Sequence, residues 1–251
     1  MKAAYINEPG PPENIVYGEI PDAEVSQGKV LVRVAAVSVN PIDTYIRSGA
    51  VAMQLPKPYI VGNDLAGTVE AVGDGVTGLQ TGDRVWCSNQ GIGGRQGTSS
   101  EWASIDAEWL HALPDSVSFK DAAANALVGI TAHLGLKKRA RLSDSDTLFI
   151  NGGSGGVGSM AVQMAKAIGA RVITTAGSDD RAEKCRELGA DLAINYKSEN
   201  VMEAVKQFAP DGVNVYWETR RETDFETILP QLAKHGRIIV MAGREARPVL
   251  P

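Results

Sequence analysis

The glycine-rich segment at residues 151–158, Asn-Gly-Gly-Ser-Gly-Gly-Val-Gly, has the composition and spacing of an anion-binding turn. Gly153, Gly155 and Gly158 satisfy G-x-G-x-x-G, and Gly152 begins an equally spaced G-x-x-G-x-x-G. A β-branched stretch precedes the turn and a helix-like apolar period follows it. Glycines let the backbone approach a diphosphate, and a helix N-terminus offers it unpaired N–H groups. We therefore favour a dinucleotide-binding turn, which includes Gly156, over a strand–helix turn without a ligand.

The residues after the next predicted strand, 171–176, bear on the choice of nucleotide. NAD sites usually place an acid about 20 residues beyond the glycines, where it accepts from a ribose hydroxyl. No acid stands at this strand tip; Ser178 follows, and Arg181 could pair with a 2′-phosphate. We interpret Ser178 as a helix N-cap with Asp179 and Asp180 in the first turn. The pattern favours NADP(H) over NAD(H).

The residues that could bind a transition metal are few and scattered. They are Cys87, His111, His133, Cys185 and His235, of which the closest two are 22 positions apart. Zinc needs three or four such ligands in register, so we expect no metal site. We interpret the cysteines as small apolar core residues and the histidines as surface or helix-end residues. His235 would then stabilise a helix C-terminus.

The elements that must position these residues change character near residue 118. The first hundred residues predict short strands at 2–6, 15–20, 29–39, 65–72 and 84–87, with a short helix near 43–47. Ser118 and Asp121 then form a capping-box-like helix start. Strands at 147–151, 171–176, 192–195, 213–218 and 237–243 alternate with helices at 157–169, 179–189, 199–209 and 225–236. We expect a mainly-β domain at 1–120 and a parallel α/β domain at 121–251.

Composition limits the classes of partner. The 251 residues carry 25 Lys and Arg against 30 Asp and Glu, a net charge of −5, with 43% hydrophobic residues. These values are typical of a folded globular protein and do not favour nucleic acid or a membrane as the partner. The N-terminus has no apolar signal segment, no run could span a bilayer, and two isolated cysteines suggest a reducing compartment. We expect a cytoplasmic protein.

Several segments together resemble the zinc-independent quinone oxidoreductases of the medium-chain dehydrogenase/reductase superfamily. They are residues 37–49, 58–73, 82–85, 129–133, 151–178 and 194–196. The resemblance implies a GroES-like catalytic domain followed by a Rossmann domain, with NADPH as hydride donor to a quinone or an α,β-unsaturated carbonyl. Zinc-dependent relatives carry a Cys near Asn40 or Pro41 and a His at Asn63. The family also continues past Pro251, so we expect a C-terminally truncated Rossmann domain and a homodimer for a longer parent.

The resemblance also implies the site. Asn40, Tyr45 and Thr131 would line the nicotinamide or substrate pocket; Gly155, Gly156 and Val157 would hold the diphosphate; Ser178, Arg181 and Tyr196 would surround the adenosine phosphate. The residues alone favour packing for Tyr45. Its hydroxyl and the Asn40 amide can nevertheless donate hydrogen bonds to a carbonyl.

One segment departs from the family pattern, and other functions stay open. After strand 213–218 the family commonly has an Asp and a glycine-containing turn, whereas this chain has Glu218, Thr219, Arg220 and Arg221. The two arginines could bind phosphate or an acidic substrate, or be solvated. Alternative functions are an enoyl-thioester reductase and a non-catalytic NADPH-binding protein. The basic residues at 137–141 could suggest nucleic acid, but we interpret them as a solvated helix end.

Overall fold

The chain divides into two compact units, the first from Met1 to Leu127 and the second from Val128 onward. The computed structural model describes residues 1–220 and 222–241. The boundary expected at 120/121 falls inside a helix that begins in the first unit and ends in the second, Phe119–His133.

The first unit is built mainly of antiparallel strands. Its elements are β1 (Lys2–Ile6), β2 (Val16–Glu19), β3 (Lys29–Ser38), α1 (Pro41–Ser48), β4 (Tyr59–Ile60), β5 (Asp64–Val72), β6 (Arg84–Cys87), β7 (Trp102–Asp106), β8 (His111–Ala112) and the start of α2 (Phe119–His133). Among the described residues they form a three-stranded sheet, β2-β1-β4, and a five-stranded sheet, β7-β3-β5-β6-β8. Alternate side chains of β3 and β5, such as Val32 and Leu65, share one buried core.

The second unit is a parallel sheet with helical connections. Its elements are β9 (Thr147–Ile150), α3 (Gly156–Ile168), β10 (Arg171–Ala176), α4 (Asp179–Glu187), β11 (Leu192–Asn195), α5 (Val201–Phe208), β12 (Val213–Glu218), α6 (Phe225–Ile228) and β13 (Leu232–Val240). The described strands lie in the order β11-β10-β9-β12-β13, and the paired strands run parallel. The order reverses between β9 and β12, where ligands bind in sheets of this kind.

Helix α2 enters the second unit and ends in a π-helical turn at Leu134–Arg139. Gly135 lies against the ring of Trp217 there, and a β-carbon at Gly135 would come within 2.7 Å of the ring atom Cζ2. Only glycine fits at this contact, which seats the helix on β12. The predicted start of α2 is confirmed, because the Ser118 hydroxyl accepts from the Asp121 N–H at 3.0 Å.

The prediction of a helix over 225–236 is wrong beyond its first turn. Helix α6 ends at Ile228, a 3₁₀ turn follows at Leu229–Gln231, and β13 begins at Leu232. Pro230 cannot donate an N–H, and Leu232 pairs with Val213 in the parallel ladder. His235 therefore lies in an irregular part of β13 with φ of 62°, and its expected place at a helix C-terminus is wrong.

Most other helices and strands lie within a few residues of the positions that the sequence predicts. The sequence pattern did not predict β4, β7 and β8; two of these strands, β4 and β8, have only two residues, too few to show a period. The expected order of a mainly-β domain and a parallel α/β domain is confirmed. Over the described ranges, none of the helices combines the length and the apolar character needed to cross a membrane.

Candidate functional site

The glycine turn lies where the sequence places it, between the end of β9 and the start of α3. Gly152 has a φ of 70°, a conformation that side chains rarely adopt. A β-carbon at Gly158 would come within 2.8 Å of the Gly152 carbonyl carbon, so the helix can begin this close to the turn only with glycine there. The turn is fixed to β10 by the Gly153 N–H, which donates to the Thr175 carbonyl at 3.1 Å.

The N-terminus of α3 offers N–H groups to a ligand. Gly155 is the N-cap, and within the described chain no side chain caps this helix. The first helical residues, Gly156, Val157 and Gly158, carry N–H groups that have no acceptor in the preceding turn of the helix. The helix dipole adds partial positive charge at the same point. This arrangement fits a diphosphate.

A cavity of about 590 Å³ lies at the carboxyl ends of β10 and β11. It is lined by Gly152, Ser154, Gly155, Ala176, Gly177, Asp180, Arg181, Lys184 and Tyr196. Four predicted cofactor residues, Gly152, Gly155, Arg181 and Tyr196, are thus brought together. Lys184 was missed, although its spacing of three residues from Arg181 places the two on one helix face.

Helix α4 begins as the sequence predicts. The Ser178 hydroxyl accepts from the Arg181 N–H at 3.4 Å, and Asp179 and Asp180 occupy the first turn. The Asp179 carboxylate accepts from the Asn195 amide at 2.7 Å. Asp180 lines the cavity instead, so it partly offsets the positive charges of Arg181 and Lys184 there. Ser178 itself does not line the cavity; its hydroxyl can still donate while it caps the helix.

Glu218 and Arg220 form an ion pair at the carboxyl end of β12. Arg220 Nη2 lies 2.6 Å from Glu218 Oε2, and the Glu218 side chain is fully buried while that of Arg220 is 52% exposed. The contact with Glu218 raises the pKa of Arg220, so its positive charge is secure. Arg221 lies outside the described residues.

In the first unit, Asn40 belongs to a buried polar cluster centred on Asp64. Asp64 Oδ2 accepts from the Ser38 hydroxyl and the Asn40 amide, both at 2.8 Å, and Asp64 Oδ1 accepts from the Ser88 hydroxyl at 2.6 Å. The Asn40 amide also donates to Ser38 Oγ at 3.2 Å. The Asn40 amide nitrogen therefore already has two acceptors inside the unit, which the sequence did not predict.

Helix α1 is fixed beside this cluster. The Asn40 backbone N–H donates to Asp43 Oδ2 at 2.6 Å, and Gly49 ends the helix with φ of 80°. Burial raises the pKa of the Asp43 carboxyl. Tyr45, on the next turn, is half-buried, and Thr131 is half-buried on the part of α2 that belongs to the second unit.

The few residues that could bind a metal ion do not cluster in the part of the chain that the structure describes. Among residues 1–220 and 222–241, no group of three or more His, Cys, Asp or Glu is placed to hold a metal ion. Both cysteines are buried, and burial raises the pKa of the Cys87 thiol to about 12, which opposes the thiolate that zinc requires. The His111 ring packs on Trp86 with 5.0 Å between ring centroids. The described residues do not fit a zinc centre.

Family models match most of the chain in two segments. Residues 26–115 match the alcohol dehydrogenase GroES-like domain, and residues 156–250 match the zinc-binding dehydrogenase model. They correspond to the mainly-β unit and the parallel unit, so the expected GroES-like and Rossmann folds are confirmed.

Individual proteins resemble the whole chain. The quinone oxidoreductase of Rattus norvegicus is 34% identical over 253 residues, covering 100% of this chain and 76% of that protein. The structure of Escherichia coli quinone oxidoreductase complexed with NADPH has a TM-score of 0.85 at 29% identity, covering 100% of this chain and 76% of that one. An NAD-dependent alcohol dehydrogenase structure has a TM-score of 0.92 at 29% identity, covering 100% and 80%.

Proposed function

This chain belongs to the quinone oxidoreductase family of the medium-chain dehydrogenase/reductase superfamily, and from this membership we propose that it is an NADPH-dependent, zinc-free reductase of quinones or α,β-unsaturated carbonyls. The observation that carries the proposal is the cavity in which the glycine turn, Arg181, Lys184 and Tyr196 lie together. It fits a dinucleotide with a 2′-phosphate.

Different groups of this chain bind different parts of the dinucleotide. The N–H groups of Gly156, Val157 and Gly158 bind the diphosphate, with the glycine turn close beside it. Arg181 pairs with the 2′-phosphate, and Ser178 and Tyr196 flank it. A relative crystallised with NADPH, the Escherichia coli quinone oxidoreductase, supports this choice of nucleotide. The bound nicotinamide supplies a hydride.

The residues proposed to line the reaction site are Asn40, Tyr45 and Thr131. Without a metal, a carbonyl oxygen must be polarised by hydrogen-bond donors, and the Tyr45 hydroxyl is suited to that role. Because the Asn40 amide already donates to Asp64 and Ser38, we assign Asn40 to positioning the start of α1, and thereby Tyr45, rather than to polarising the substrate carbonyl. Quinones and conjugated carbonyls need less polarisation than simple ketones, which is consistent with one donor.

The zinc-free part of the proposal is supported by the lack of a ligand cluster among the described residues and by the raised pKa of the Cys87 thiol. It also separates this chain from alcohol oxidation at a zinc centre, despite the similarity to an NAD-dependent alcohol dehydrogenase. The proposal further includes a cytoplasmic protein that binds neither nucleic acid nor membranes, and a homodimer for a longer parent chain.

The test is the oxidation of NADPH by the 251-residue chain, followed with 1,4-benzoquinone and, separately, with a crotonyl thioester. Quinone-dependent oxidation that a chelator does not reduce is expected. Preference for the thioester would favour an enoyl-thioester reductase, and NADPH binding without turnover of either would favour a binding protein. Tyr45→Phe should lower turnover while NADPH binding stays unchanged.

A further inference from the structure

Side chains tie the carboxyl ends of β9 and β12 to each other. Asn151, directly after β9, donates its amide N–H to Glu218 Oε1 at 2.7 Å. Thr219, directly after β12, donates its hydroxyl to the Asn151 carbonyl at 3.1 Å. A β-carbon at Gly152 would lie 4.0 Å from Thr219 Oγ1. Thr219, the first residue after β12, is therefore fixed beside the glycine turn.

At the end of β12, the carboxylate of Glu218, which solvent does not reach, holds Arg220 in one orientation. Arg220 Nε lies 3.0 Å and 3.1 Å from the two Glu218 oxygens, and its backbone N–H donates to Oε1 at 2.7 Å. The described hydrogen bonds of the Arg220 side chain all go to Glu218 and use Nε and Nη2. Because a guanidinium is planar with five N–H donors, the donors on Nη1 point away from Glu218.

The strand order decides which part of a dinucleotide these donors meet. The cavity with Arg181 and Tyr196 lies on the β10 side of β9, whereas Arg220 follows β12 on the other side. A dinucleotide whose adenosine lies over β10 and whose diphosphate lies at the turn after β9 continues toward β12. We propose that Arg220 binds the nicotinamide-side phosphate of the dinucleotide, and that Glu218 is the positioning residue that orients it.

This inference rests on the proposed function, because it takes a dinucleotide as the ligand. Glu218 neutralises the net charge of Arg220, so the binding comes from short, directed, charge-assisted hydrogen bonds rather than from long-range attraction. A net-neutral replacement of the pair therefore removes the directed donors without changing the charge of the site.

The experiment measures the dissociation constants of NADPH and of adenosine 2′,5′-bisphosphate for the 251-residue chain by calorimetric titration. The bisphosphate carries the adenosine-side phosphates and lacks the nicotinamide-side one. The variant Glu218→Gln/Arg220→Gln avoids a buried, unpaired carboxylate. It should weaken NADPH about tenfold and the bisphosphate by less than about twofold.

Two further variants keep the test decisive. Glu183→Gln/Arg186→Gln removes a comparable ion pair, N to O 2.7 Å, from exposed α4 and should change neither constant. Arg220→Lys keeps the charge without the planar fork and should show the same selective loss, smaller in size. If thermal melting shows that the double variant does not fold, the Arg220→Lys variant alone tests the proposal.

Equal weakening of both ligands, or no weakening of either, would overturn the role of Arg220. In the second case the wild-type chain would still bind NADPH and reduce quinones, so the proposed function would stand. A wild-type chain that binds neither ligand would overturn the proposed function and this inference together.

Discussion

The buried carboxylate of Asp64 makes a sharp stability prediction for the first unit. Asp64 is 0% exposed, and its two oxygens accept from Ser38, Asn40, Ser88 and the N–H of Leu127 at 2.6–3.3 Å. Asp64→Ala would leave the Asn40 amide and the Leu127 N–H without this acceptor. The carboxylate accepts from four donors, and each buried donor left unsatisfied costs about 1–3 kcal/mol, so we expect a total loss of about 4 kcal/mol.

Asp64→Asn should cost less. Its carbonyl oxygen can take the place of Oδ2, which accepts from Ser38, Asn40 and Leu127. Its amide would then face only the Ser88 hydroxyl, which can rotate to accept. The substitution removes the charge but keeps the pattern of contacts, so we expect a loss of about 1–2 kcal/mol.

Urea unfolding at pH 7 measures both effects. Three of the four tryptophans, Trp86, Trp102 and Trp109, lie in the first unit, so fluorescence reports mainly on that unit. With a slope of about 2 kcal/mol per molar urea, a 4 kcal/mol loss lowers the midpoint by about 2 M. Asp74→Ala, at an exposed carboxylate, is the control and should change the free energy of unfolding by less than about 0.5 kcal/mol.

A loss of less than about 1 kcal/mol for Asp64→Ala would contradict this prediction, because it is no more than the cost of a single unsatisfied buried donor. The prediction would also be refuted if the Asn and Ala variants lost equal stability, because the difference between them depends on the retained acceptor oxygen.

Three further outcomes are expected. Arg181→Ala should weaken NADPH about tenfold more than NADH in a fluorescence titration, whereas Arg186→Ala should not discriminate; equal losses for both nucleotides would contradict the 2′-phosphate assignment. Because Cys87 and Cys185 are buried with raised thiol pKa values, neither should react with Ellman's reagent at pH 8 until the chain is unfolded, and a fast native reaction would speak against their burial. Burial raises the pKa of Asp43 above 3.8, so the folded chain holds this proton more tightly than the unfolded chain. Its contribution to stability should therefore decline as the pH rises from about 4 through the folded-state pKa, and Asp43→Asn should flatten that decline.

Local sequence patterns predicted the structure correctly where a residue type has one clear physical role, such as glycine in a tight turn or serine at a helix N-cap. The glycines at 152–158, the Ser178 cap and the Ser118 start follow from backbone sterics and nearby hydrogen bonds, and they were predicted correctly. The helix predicted at 225–236 failed because strand pairing between β12 and β13 outweighed an apolar period already interrupted by Pro230. Two-residue strands such as β4 carry no period at all.

The candidate site shows the same division. Arg181 and Tyr196 were predicted from the sequence. That Lys184 and Asp180 line the same cavity, where the negative charge of Asp180 partly offsets the positive charges, is apparent only in the folded chain. The Asn40 amide looked free to donate in the sequence, yet Asp64, 24 residues away, takes one of its hydrogens. The fork-like contact of Arg220 with a fully buried Glu218 was equally invisible.

The order of the two domains, the glycine turn and the family were all readable from the amino-acid sequence. These depend on short-range periodicity, on backbone conformations that only glycine adopts, and on motifs that survive at 34% identity to a relative. Which polar groups already have a partner, and which are offered to a ligand, became apparent only in the folded chain. The reason is that hydrogen bonding and burial depend on residues brought together from distant parts of the chain, as when β9 and β12 place Asn151 beside Glu218.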